Sequence, residues 1–206
     1  MIGNTKFLRT TLGCFCTIAM TVISAEPVLY EVDPRHTFPT FEADNQGGLS
    51  IWRGKIERTA GTIILDQEAK TGSVDLTFDM DSINFGLDDM NRHAKAEDIL
   101  DLAQFPTDSY TGIISSFTRY GDPTGIEGEL TLHGVTNPLS LTIERFRCQP
   151  HHRRTEEMIC GADASGTFNR DDYGVTYGIE NGHLMYVNLK ITVEAKRIDS
   201  EQLTSN

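Results

Sequence analysis

Residues 128–144 read GELTLHGVTNPLSLTIE. Leu130 and Leu132 alternate with Glu129, Thr131 and His133; after a stretch containing glycine and proline, Leu139, Leu141 and Ile143 alternate with Ser140, Thr142 and Glu144. Period-2 alternation on both sides of a Gly/Pro break predicts a β-hairpin with one apolar and one wet face. The pattern recurs along the chain. Val74, Leu76, Phe78 and Met80 alternate with Asp75, Thr77, Asp79 and Asp81, and residues 185–195 alternate from Met185 to Ala195 without a fault. Further strands are predicted at 28–32, 48–58, 61–66, 110–120, 125–132 and 161–169, with turns at Lys70-Thr71-Gly72, Gly121-Asp122-Pro123 and Asn181-Gly182. Several are longer than a typical globular strand. Long alternating strands in antiparallel order favour an all-β barrel over a flat sheet, because closure removes exposed edges.

One segment departs from this. Residues 87–104 carry Met90, Ala94, Ile99, Leu102 and Ala103 at helical spacing, behind Asp88-Asp89 and ahead of Phe105-Pro106. Acidic residues at the start and a proline past the end predict a helix, or two short ones.

The first 25 residues read as a secretory signal peptide. Lys6 and Arg9 precede a mostly apolar run from Leu12 to Ile23, and Ser24 and Ala25 supply small residues for cleavage. The run is interrupted by Thr17 and Thr21 and falls short of the ~20 residues of a membrane span. Cys14 lies too early in it for a lipoprotein site. Residues 26–199 then form one domain and 200–206 a tail. The leader holds two of the 18 basic residues and none of the 30 acidic ones, so the remainder is strongly acidic. Such a chain has no electrostatic reason to bind nucleic acid or anionic headgroups. The expected location is an aqueous exported compartment, the periplasm, without stable membrane insertion. Cys148 and Cys160 are the cysteines left after cleavage, and one pair in an exported chain reads as a disulfide. A metal pair aided by His151 and His152 is the competing reading, although the spacing matches no usual zinc pattern.

Four motifs carry a resemblance. YEVDPRHT at 30–37, EDILD at 97–101 with Phe105-Pro106, the hairpin up to Pro138, and NRDDYG at 169–174 occur in this order. Together they resemble the YceI-like, polyisoprenoid-binding family over the whole mature chain. The resemblance implies an extended, lipocalin-like antiparallel β-barrel of eight strands. It also implies an apolar tunnel for an isoprenoid lipid such as a polyprenyl phosphate or a ubiquinone tail, with no cofactor besides that ligand. Two departures stand out. A second family histidine, in an H-x-G-x-S setting, is absent from Asn45-Gln46-Gly47-Gly48-Leu49-Ser50, and the family's phenylalanine pair is Ile99-Leu100.

Candidate tunnel lining is Phe38, Phe41, Trp52, Phe78, Phe85, Ile99, Leu100, Leu130, Leu132, Phe168 and Tyr173, with Ala162, Ala164 and Gly166 leaving room near Phe168. Ordinary core packing is the other reading for each. His36 and His133 are candidates for meeting a phosphate or quinone carbonyl, or for bracing turns. Arg170 is a candidate for an anionic headgroup, or for an ion pair with Asp171 and Asp172. Each isoprene unit stands to gain about 2–3 kcal/mol on burial, part of it consumed in ordering the chain. The function expected is therefore non-catalytic carriage or storage of lipid, and two barrels pairing as a homodimer is compatible with it. A hydrolase using Asp98 and Asp101, or a metal or redox protein using the histidines, is the alternative. No nucleophile motif or ligand-spaced cluster supports either.

Overall fold

A computed structural model of the chain describes residues 26–198. The predicted signal segment and C-terminal tail lie outside the described residues. Eleven strands are present: β1 (Val28–Val32), β2 (Phe38–Asn45), β3 (Ser50–Ile56), β4 (Thr59–Asp66), β5 (Thr71–Asp79), β6 (Ile83–Asn84), β7 (Thr107–Phe117), β8 (Pro123–Leu132), β9 (Val135–Pro150), β10 (Met158–Asn169) and β11 (Tyr186–Ile198). One short helix, α1 (Asp88–Ala94), lies between β6 and β7.

All pairings are antiparallel, and the order β1-β4-β5-β7-β8-β9-β10-β11 returns to β1, giving a closed eight-stranded barrel. The remaining strands extend it upward. β11 pairs β1 from Ala195 to Ile198 but pairs β2 from Val187 to Thr192. β1 pairs β4, and β2 pairs β3. So β1–β2 and β3–β4 are two long strands, each broken once.

Each break leaves backbone groups that need partners, and a buried hydroxyl supplies them. At the first, the Thr37 hydroxyl donates to the Glu194 carbonyl at 3.1 Å and accepts the Glu194 N–H at 3.2 Å. At the second, Ser82 Oγ accepts the N–H groups of Glu57 and Arg58 at 3.1 and 2.9 Å and donates to the Asp79 carbonyl at 2.6 Å. Ser82→Ala leaves the Arg58 N–H without that acceptor in a buried position, while the Glu57 N–H keeps the Ser82 carbonyl at 3.3 Å. A loss of about 1–3 kcal/mol is expected, read as a lower urea midpoint with unchanged m-value.

The hairpin expected at residues 128–144 is present, with a tighter turn than the Gly/Pro break implies. β8 ends at Leu132, and His133 and Gly134 alone make the reversal with φ of 53° and 76°. Positive φ at both central residues is what a type I′ hairpin turn requires. Gly134 is also held against the Phe105 ring, which an added Cβ would meet at 2.5 Å. Pro138 sits inside β9 opposite Glu129, above the point where the β9–β10 ladder stops at Thr142 and Ser165.

Two sequence expectations change. The helix ends at Ala94, because both Ile99 and Asp101 turn their N–H groups back to the Ala96 carbonyl and Asp101 adopts φ 42°. Residues 95–104 are a chain of turns. The strand β2, FPTFEADN, was not foreseen, since its proline and acidic residues hide any apolar alternation.

Tyr30, Leu65, Ile114, Ile143, Cys160 and Ala195 are buried and fill the lower barrel. Cys148 and Cys160 stand directly opposite on β9 and β10 and form a disulfide, which removes the thiolates that a metal reading needed.

The upper barrel is less completely closed. β6 pairs only β3 among the described strands, while β7 continues the ladder from β5. The gap between β6 and β7 is filled by side chains from residues 85–106, among them Phe85, Leu100 and Leu102 packed on Ile56, Met80, Ile83 and Ala94.

Candidate functional site

The upper half of the barrel holds a cavity of about 280 Å³, close to the small end of the range for ligand pockets. Its wall follows strand parity. β5 contributes Val74, Leu76 and Phe78, β8 contributes Ile126, Leu130 and Leu132, and β11 contributes Val187, Leu189, Ile191 and Val193. Six residues along β8 or β11 correspond to ~20 Å of strand, so the cavity is long and narrow. β2 and β3 add Phe41, Trp52 and Ile56, with the Phe41 ring lying over Gly54, where an added Cβ would meet it at 2.4 Å. Phe85 packs edge-on against Phe41 and Trp52, with ring centroids 5.4 and 6.5 Å apart. Ile99 and Leu100 complete the wall from the turns after α1.

Of the predicted lining, Phe41, Trp52, Phe78, Phe85, Ile99, Leu100, Leu130, Leu132 and Phe168 border the cavity. Phe38 does not. It is three residues from Phe41 and so faces the opposite side of β2, where the Lys55 ammonium lies 5.3 Å from its ring centroid. Tyr173 does not either. It is 1 % exposed in the core beside Phe168, edge-on at 5.3 Å. Gly166 leaves no empty space, because Leu141 and the Ser140 carbonyl crowd the place its side chain would take. Ala164 borders the cavity, whereas Ala162 packs on the core.

The polar candidates separate. His36 lies away from the cavity, exposed in an outer groove with Arg145, Arg147 and His151. Its Nδ1 is 3.0 Å from Asp33, whose carboxyl is held far below the usual range, chiefly by the Arg35 side chain. His133 braces its turn, with Nδ1 3.3 Å from the Tyr173 carbonyl and its ring 4.4 Å from Phe105. Arg170 does border the cavity. Its guanidinium donates to the carbonyls of Val175 and Tyr177 at 2.8 and 2.7 Å and forms no ion pair with Asp171 or Asp172. Loss of hydration lowers its pKa, with Asp171 and Asp44 opposing.

Around Arg170 stands a polar rim that sequence reasoning missed: Asp44, His93, Tyr177 and His183. Asp44 accepts N–H groups from Gly47, Gly48 and Leu184, so it ties the β2–β3 turn to the loop before β11. Those donors, Leu184 first, hold its carboxyl below the normal range. An aspartate just before Asn-Gln-Gly-Gly is an Asx-turn signal that points to it. His93 and Tyr177, whose ring centroids are 5.0 Å apart, are joined only by the fold and left no such signal.

A profile of the YceI-like domain matches residues 30–197. This chain belongs to the YceI-like family. Protein YceI of Salmonella agona is 28% identical over 130 residues, 62% of this chain and 66% of that relative's length. The match thus spans just under two thirds of the relative. A Campylobacter jejuni YceI protein superposes with a TM-score of 0.59 at 20% identity, covering 73% of this chain and 88% of that one. A polyisoprenoid-binding domain from Saccharophagus degradans superposes with a TM-score of 0.57 at 14% identity, covering 82% and 98%. At such identities the likeness is one of fold.

Within the YceI-like frame the two departures acquire a place. Asn45, in the region where a second family histidine was expected, donates from its side chain to Ser50 Oγ at 3.1 Å and closes the β2–β3 turn. Ile99 and Leu100 both border the cavity from the side seam.

Proposed function

We propose that this YceI-like protein binds an isoprenoid lipid, a polyprenyl phosphate or a ubiquinone-type molecule, as a non-catalytic carrier or store in the periplasm. The observation that carries the reading is the long cavity walled by apolar side chains from nearly every strand and polar only at a few points. An apolar wall of this kind gains free energy from a hydrocarbon chain without any directional contact. Arg170 is the group available to a polar headgroup, since its guanidinium borders the cavity and retains donors beyond those given to two loop carbonyls. The polyisoprenoid-binding neighbour from Saccharophagus degradans supports the ligand class. The signal-like leader and the Cys148–Cys160 disulfide support export. A hydrolase would draw on Asp98 and Asp101, and neither borders the cavity.

Native mass spectrometry of the purified protein, followed by lipid extraction, tests this. Co-purified prenyl lipid, or stoichiometric uptake of offered ubiquinone or polyprenyl phosphate, is the expected result. A protein that carries none and takes up neither is not a prenyl-lipid carrier.

A further inference from the structure

Among the described residues the barrel buries three aspartates, and two are engaged by backbone N–H groups of their own turns. Asp44 accepts three backbone N–H groups, and Asp66 accepts those of Glu68 and Ala69 at 3.0 and 2.7 Å. Both sit in turns where an aspartate of this kind is expected. The third, Asp108, is different. It is 2 % exposed, points inward from β7 on the same face as Tyr110 and Ile114, and borders the cavity. Its Oδ1 accepts the His133 N–H at 3.1 Å. Its Oδ2 has no hydrogen-bond partner among the described residues.

Two hydroxyl groups that border the same cavity already have partners. Thr37 is saturated by Glu194, and the Tyr110 hydroxyl donates to the Leu139 carbonyl at 2.9 Å. A carboxyl oxygen facing an apolar cavity beside Phe78, its cross-strand neighbour, costs free energy unless water or a ligand meets it.

We infer that Asp108 is a ligand contact whose free carboxyl oxygen hydrogen-bonds an uncharged oxygen, a carbonyl or a hydroxyl, carried by the lipid in the cavity. The inference rests on the lipid-binding reading and narrows it. Burial raises the Asp108 carboxyl to about 7, with the His133 N–H opposing, so a large share of it is the neutral acid at neutral pH. A neutral acid donates to a carbonyl, and either form accepts from a hydroxyl. A phosphate brought to the same point would face an acidic group in apolar surroundings, which is unfavourable. Asp108 therefore favours quinone-like or alcohol-bearing prenyl chains over prenyl phosphates.

The probes are a short-chain ubiquinone and squalene, which is isoprenoid but carries no oxygen. Trp52, the single tryptophan of the chain, borders the cavity and reports both titrations by fluorescence. Asp108→Leu is expected to weaken ubiquinone binding roughly 5- to 10-fold and to leave squalene unchanged or tighter. Asp108→Asn keeps an acceptor for His133 and an N–H donor for the ligand, and should stay close to wild type. Equal weakening of both probes by Asp108→Leu, or no change in ubiquinone binding, overturns the inference. A second readout needs no variant: the infrared carbonyl band of bound ubiquinone should move to lower frequency in the wild-type protein, and an unshifted band overturns the inference equally. Failure of the wild-type protein to bind either probe overturns the lipid reading itself, and this inference with it.

Discussion

Replacing Ala164 by phenylalanine is expected to reduce prenyl-lipid affinity by roughly 30- to 150-fold while leaving the barrel intact. Ala164 lies on β10 between Ile143 of β9 and Ile191 of β11, and its methyl group borders the cavity. A benzyl group placed there occupies volume that an isoprene unit would otherwise fill. Excluding one unit forfeits about 2–3 kcal/mol, which sets the factor quoted. Enlarging a packed core residue ordinarily costs about 1–3 kcal/mol through strain. Here the added ring enters a space with no protein atoms in it, so the ligand-free melting temperature should hold or rise. Lys190→Glu, exposed on the outer face of β11, is the control. Fluorescence titration and a thermal melt of both variants check the expectation. Equal loss in the two would mean that the cavity is not where the lipid sits.

The second large effect concerns Asp108 and pH. Its folded-state pKa is raised from 3.8 to about 7, chiefly by burial. Between those values the folded protein holds a proton that the unfolded chain has released. The contribution to stability is therefore fully present below about pH 4 and is lost as pH rises through 7. The full difference is at most about 4 kcal/mol. Asp108→Asn keeps the bond to the His133 N–H and cannot ionise. Ligand-free, it should gain stability over wild type by up to that amount at pH 8, and the gain should vanish near pH 4. Chemical denaturation at the two pH values measures this, and a gain independent of pH would contradict it. Asp33, Asp44 and Asp79 act in the opposite sense. Their carboxyls are lowered, mainly by Arg35, by backbone donors and by Arg58 respectively, so what they contribute is present above the usual carboxylate range and lost on acidification. The stability optimum should lie between the two effects.

Much of the barrel was legible because alternation is a local property. The uninterrupted pattern of residues 185–195 locates β11 and names its inward face, and the cavity residues of β5, β8 and β11 follow from parity alone. Parity also shows that Phe38 and Phe41 cannot share a face, which takes Phe38 out of the lining. A proline and four polar residues conceal the alternation of β2, although β3 and β11 flank it on both sides. The helix was read too long because apolar spacing continues through Leu102 while the backbone turns away at Asp101. Asp108 looks like loop polarity ahead of a strand, yet it is in step with Tyr110 and Ile114. The rim of Asp44, His93, Tyr177 and His183 draws on segments far apart in sequence, and no local pattern carries that information.

The seam between β6 and β7 separates two kinds of tolerance. Around most of the barrel a change in backbone position must propagate through a hydrogen-bonded ladder. Along this seam the wall is held by side-chain packing, including Ile99 and Leu100 where phenylalanines were expected. Residues there can change size without breaking a strand pairing, so the cross-section offered to a ligand can be altered while the ring of eight strands stays fixed. The open side of the ladder is thus where the cavity can change its cross-section while the fold is kept.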